Sequence, residues 1–160
     1  MILWYSAGSV FCVWNVFQSP GLDFRLVAAG ALLPLLLDTP FGEMAVAHSL
    51  GATVALLAGV MGATAGRGRR LLRRRIICLP IGAFCGLALS GAWATKQVFW
   101  WPAFGTGLPG ASLVPALPVV LVEELLGLLA AVWAWTRFGL ADPVRRRDLL
   151  RTGRLEVVGS

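Results

Sequence analysis

Few residues in this chain have side chains that could carry chemistry, and most of them sit at the edges of apolar runs. Asp38, Glu43 and His48 fall within eleven positions, and Glu123 and Glu124 stand side by side further on. A single histidine excludes an all-histidine zinc centre. A divalent metal would need a carboxylate-rich set. Structural readings stand beside these. Asp38 can cap the turn that follows it, Glu43 can be a solvated loop charge, and His48 can be a hydrogen-bonded packing residue. Glu123 and Glu124 point about 100° apart on a helix, so at least one must face other protein, with Lys96 or His48 as the available partner. No Gly-rich phosphate loop, serine nucleophile elbow or paired Cys-x-x-Cys is present.

The elements that must position these residues are apolar helices. Of the 160 residues 58% are hydrophobic and only 14% charged, whereas a soluble domain carries roughly 25% charged residues. An apolar stretch of about 20 residues crosses a bilayer as a helix, and the chain has room for five. The runs are Ile2 to Phe17, Phe24 to Leu37, Met44 to Ala65, Ile76 to Thr95 and Pro118 to Phe138. The expected fold is therefore all-α, an integral membrane bundle of five helices, the second short enough to be re-entrant. Residues 1–138 form one transmembrane domain and 139–160 a basic cytoplasmic tail.

Charge orients the bundle. Twelve of the fourteen positive residues lie in two clusters, Arg67, Arg69, Arg70, Arg73, Arg74 and Arg75, then Arg137, Arg145, Arg146, Arg147, Arg151 and Arg154. Arginine accumulates in short cytoplasmic loops, so both clusters lie inside, the C-terminus is cytoplasmic and the N-terminus outside. The first cluster can also hold anionic lipid head groups. The net charge of +6 is thus a membrane signal, and nucleic acid is not an expected partner. Asp38, Glu43, His48, Lys96, Glu123 and Glu124 then gather near the outer boundary with Trp93, Trp100 and Trp101, while Trp133 and Trp135 mark the inner one. Cys12, Cys78 and Cys85 read as small core residues.

Small residues recur every four positions at Gly51, Ala55, Gly59 and Ala63 in the third run, and at Gly82, Gly86 and Ser90 in the fourth. Such stripes let helix backbones approach closely in lipid. They predict a seam between the third and fourth runs.

Between Ala29 and Gly105 the chain resembles the bacterial membrane-bound, metal-dependent hydrolases, the LexA-binding, inner-membrane-associated (YdjM-like) group. The resemblance lies in Gly30-Ala31-Leu32-Leu33-Pro34 with Asp38, in Ala47-His48-Ser49-Leu50, in the stretch from Gly82 to Gly91, and in Phe99-Trp100-Trp101-Pro102. It implies that Asp38 and His48 are metal ligands. The family's acid after the proline is replaced by Leu35, and its helical His and Asp, four apart, are replaced by Gly86 and Ser90. Two remaining ligands are fewer than the three a catalytic metal takes. The reading favoured is a multi-pass protein of the bacterial plasma membrane, a non-catalytic accessory or assembly subunit with a decayed hydrolase-like site and no cofactor. Its partners are the lipid bilayer and another membrane protein or a second copy of itself. The alternative, which the resemblance implies, is a metal-dependent hydrolase acting on a lipid or lipid-linked substrate at the outer leaflet, with Asp38 and His48 as ligands and Glu123 or Glu124 as the base that activates a water.

Overall fold

A computed structural model describes the chain except for residues 20, 67, 104, 108–110 and 156–160. The described residues form helices α1 (Ile2–Phe17), α2 (Phe24–Asp38), α3 (Leu50–Ala63), α4 (Arg70–Ile76), α5 (Cys78–Leu89), α6 (Lys96–Phe99), α7 (Leu117–Arg137) and α8 (Pro143–Thr152), with short 3-10 turns at 39–41, 46–48 and 92–94. The sole extended pairing among the described residues is an isolated antiparallel bridge between Glu43 and Ser112. Two stretches, Phe24–Phe41 and Leu117–Arg137, are helical, long and apolar enough to cross a membrane.

Contacts between the helices fix their directions. The Met1 amino group pairs with Glu124, Phe11 meets Trp133 edge-on at 4.9 Å and Trp14 meets Phe138 at 4.8 Å, so α1 and α7 run the same way. Trp4 at the start of α1 donates its indole N–H to the Leu89 carbonyl at the end of α5, at 3.1 Å. Those two helices are therefore antiparallel. α2 runs beside α5 in the same direction, and α3 leaves the end of α2 and returns. The arginine-bearing α4 and α8 consequently share one end with Asp23. Asp38, His48 and Lys96 share the other.

The tightest seam is α2 against α5, not α3 against α5 as the small-residue pattern predicts. A Cβ at Gly82 would overlap the Val27 carbonyl, one at Gly86 the Ala31 carbonyl, and one at Gly30 the Leu79 carbonyl. Each glycine lets one backbone rest on another. On α3, Ala55, Gly59 and Ala63 are exposed, and Gly59 has nothing within 4 Å of where a Cβ would stand. Gly51 abuts the Trp101 carbonyl, outside any helix. The physical reason is that both α2 and α3 offer small residues, and α2 alone also brings Val27 and Ala31 fully into the core. Ser90 is buried where α5 ends, its hydroxyl donating to the Leu87 carbonyl and accepting the Ala92 N–H.

α7 lies along α1 through Gly127, its one buried residue, which sits against the backbone of Leu3 and Trp4. Most of its apolar side chains are exposed, Leu121 at 62% and Leu129 at 58% among them. An apolar cavity of about 490 Å³ separates α1 from α3 above a floor of Pro80, Ile81 and Phe84.

Candidate functional site

Asp38 is the last residue of α2 and is only 2% exposed. A carboxylate buried there must find donors, since a charge left alone in an apolar interior costs far more than a fold can spare. The chain supplies them by wrapping around it. After the 3-10 turn at 39–41, Gly42 adopts φ +68° and reverses the backbone. Met44 then donates its N–H to the Ala111 carbonyl at 2.7 Å. The next residues close on Asp38: one carboxylate oxygen accepts the Ala45 N–H at 2.8 Å and His48 Nδ1 at 2.7 Å, and the other accepts the Ala47 N–H at 3.3 Å. Ser49 then caps α3, its hydroxyl accepting the Ala52 N–H at 3.0 Å. Asp38 stands at the N-cap position of the 39–41 turn but makes no side-chain cap bond to it, its oxygens being spent on Ala45, Ala47 and His48.

His48 is 1% exposed and sits in the 3-10 turn before α3, not one turn into a helix beginning at Met44. The apolar stretch from Met44 to Ser49 forms the wrap instead of helix. A carboxylate only accepts, so in this bond the hydrogen lies on Nδ1. That is the carboxylate–histidine arrangement that orients an imidazole for a metal or for proton transfer. A metal centre would need further ligands.

Those ligands do not assemble. Asp38 is engaged by three donors. Glu123 and Glu124, expected beside His48 or Lys96, lie instead on the α1–α7 contact: Glu124 pairs with the Met1 amino group, Glu123 stands close enough to Tyr5 and Met1 to act on them electrostatically, and one of its carboxylate oxygens is buried without a hydrogen-bond partner among the described residues. Lys96 and Glu43 are exposed. Among the described residues no group of three or more His, Cys, Asp or Glu converges as a metal would require. Leu35 packs in the apolar cluster around Met44 and Leu87. The residues present do not fit the metal that the family resemblance implies.

A second polar cluster occupies the opposite end. Asp23, 3% exposed, precedes α2 and is gripped by two guanidinium groups: Arg25 Nε and Nη2 reach its two oxygens at 3.2 and 3.1 Å, and Arg75 Nε and Nη2 reach one of them at 3.1 Å. Burial opposes ionisation of Asp23, but the hydrogen bonds and charges of the two arginines together outweigh it and hold its carboxyl below the usual carboxylate value. Its backbone N–H donates to the Cys78 thiol at 3.3 Å. The cluster also fastens the C-terminal helix, because Arg25 Nη1 donates to the Leu150 carbonyl at 2.6 Å and the Phe24 N–H to the Gly153 carbonyl at 2.8 Å. Leu155 is buried beside Phe24, Cys78 and Phe138.

Of the arginines expected to meet head groups, Arg69 reaches back to the Ala63 carbonyl and Arg75 binds Asp23. Arg70 and Arg74 are exposed, Arg73 is half-buried, and Arg67 lies outside the described residues. Sequence reasoning overlooked Asp23, although an acid in the turn facing an arginine cluster was a legible signal. Searches against protein-family models, curated proteins and solved structures found no match.

Proposed function

We propose that this chain is a multi-pass protein of a bacterial plasma membrane that serves as a non-catalytic accessory or assembly subunit. In this reading α1, α2, α3, the α4–α5 unit and α7 cross the bilayer in alternating directions, with the arginine-bearing end in the cytoplasm and Met1 and the Asp38–His48 end outside. The chain is a relative of the membrane-bound hydrolases whose Asp38 and His48 persist as a lock between α2 and α3 after the metal site was lost.

The observation that carries the reading is the unequal use of the two small-residue stripes. Gly82 and Gly86 are consumed inside the chain, whereas Ala55, Gly59 and Ala63 lie exposed on α3 with nothing packed on Gly59. Close helix approach through small residues is a principal way for membrane helices to associate, so this face fits a helix of another subunit. A cysteine introduced at Gly59 tests it in native membranes. Oxidative cross-linking to one defined membrane protein, or to a second copy, is expected. A Gly59→Cys chain that reacts freely with lipid-soluble maleimide and cross-links to nothing contradicts it.

A further inference from the structure

The Asp23 cluster borders a cavity of about 460 Å³ whose two walls differ in chemistry. On one side stand Arg25 and Arg75, and on the other Leu26, Ala29, Leu72 and Ile76. The charges do not cancel. Two guanidinium groups face one carboxylate, which leaves one positive charge. Arg25 spends all three of its nitrogens, on Asp23 and on the Leu150 carbonyl. Arg75 spends Nε and Nη2 on Asp23, keeps Nη1 free of hydrogen bonds among the described residues, and has 56% of its side chain exposed. Asp23, nearly fully buried, fixes the angle of both guanidinium planes, so the free Nη1 is held in place and not left to sweep solvent. The apolar wall opens outward, since Ala29 is exposed and Leu72 is 48% exposed.

We propose that this cavity binds one anionic phospholipid, its phosphate on Arg75 with Arg25 behind it, and the upper part of an acyl chain along Leu26, Ala29, Leu72 and Ile76. The inference rests on the membrane reading above, which puts this end at the inner leaflet. An anionic amphiphile satisfies both walls at once. A free anion leaves the apolar wall wet, and a neutral lipid leaves the surplus charge unmatched. The cavity volume falls within the range of about 300–1,000 Å³ usual for small-molecule sites, and a charge-assisted hydrogen bond to a guanidinium is among the stronger polar contacts. The site differs from a diffuse basic surface, where every arginine contributes alike.

The test uses the full chain reconstituted in bilayers of phosphatidylcholine containing phosphatidylglycerol, gently extracted, and weighed by native mass spectrometry. One retained phosphatidylglycerol per chain is expected. Arg75→Gln should reduce retention at least about tenfold. Leu72→Trp, which crowds the apolar wall without touching the ion cluster, should do the same, and so guards against the possibility that Arg75→Gln merely loosens Asp23. Arg70→Gln and Arg74→Gln should change retention at most about fivefold, and excess inorganic phosphate should not displace the lipid. Equal losses for Arg70, Arg74 and Arg75, equal retention of phosphatidylcholine, or full displacement by phosphate would each overturn the site. A chain that alkaline carbonate strips from the bilayer overturns the membrane reading and the site together. A firmly inserted chain that keeps no phosphatidylglycerol overturns the site alone.

Discussion

His48 Nδ1 lies 2.7 Å from a carboxylate oxygen of Asp38, and both side chains are at least 97% buried. Ten residues apart in sequence, they join the last residue of α2 to the turn that starts α3. A buried donor that loses its acceptor costs about 1–3 kcal/mol, so removing the carboxylate that serves three of them costs at least about 3 kcal/mol. Asp38→Ala should therefore lower stability by about that amount in detergent, since three donors lose their acceptor at once. His48→Gln, which can still donate toward Asp38, should cost distinctly less. Equal losses for both variants would show that the ring itself, and not its hydrogen bond, is what the fold uses.

The glycine seam makes a prediction of opposite signs. Gly86→Ala puts a methyl group into the Ala31 carbonyl, and overpacking of this kind costs about 1–3 kcal/mol or more. Gly59→Ala meets open space and should leave stability unchanged or raise it by up to about 1 kcal/mol, because alanine is the better helix former. Thermal unfolding of the isolated chain in detergent reads both. Similar effects at the two positions would refute the assignment of the seam to α2 and α5.

How much of this was legible follows from the same residues. α1 begins and ends where its apolar run does, and α2 and α7 agree with theirs to within one residue. Composition and turn residues suffice there, and even Pro34, which removes one N–H from the ladder, does not end α2. The third and fourth runs came out too long. Met44 to Ser49 is mostly apolar, but the N–H groups of Ala45 and Ala47 are spent on Asp38, and no periodicity reveals a backbone that leaves the helix to solvate a carboxylate. Residues beyond Leu89 likewise turn at Gly91, with φ +69°. The choice of α2 over α3 as partner of Gly82 and Gly86 was equally hidden, because a stripe on one helix does not name the helix it meets. Glu123 and Glu124 were misplaced for a simpler reason: sharing an end of the bundle is not sharing a neighbour.

Asp23 should give the arginine end an acid-sensitive hold on α8. Its carboxyl titrates below the ordinary value in the folded chain, so its stabilising contribution is fully present above the unfolded value and is lost as pH falls through the folded one. Amide exchange within α8, corrected for its intrinsic pH dependence, should be flat from neutral pH down to about pH 4 and rise below that. Asp23→Asn should show the raised exchange already at neutral pH. Gly153→Ala should do so too, since Gly153 caps α8 at φ +73° and a Cβ there would overlap the Asp23 carboxylate. Protection unchanged in all three cases would mean that α8 is held without Asp23, by the Phe24–Gly153 backbone bond and the packing of Leu149 and Leu155.

Glu123 carries a buried oxygen with no hydrogen-bond partner among the described residues, a standing cost of about 1–3 kcal/mol. Glu123→Leu should therefore raise the thermal midpoint. A marked loss of stability instead would point to a bound group on that oxygen, and would reopen the α1–α7 contact as a site.

The account turns on Asp38 and His48 forming a lock and not a metal centre. A ligand that binds only the folded chain stabilises it by about 2.7 kcal/mol at a hundredfold excess over its dissociation constant, so the direct measurement is the thermal midpoint of the reconstituted protein with chelator, then with zinc or manganese added. The midpoint should be the same in all three conditions. A rise with either metal that His48→Gln abolishes would contradict the lock and restore the hydrolase.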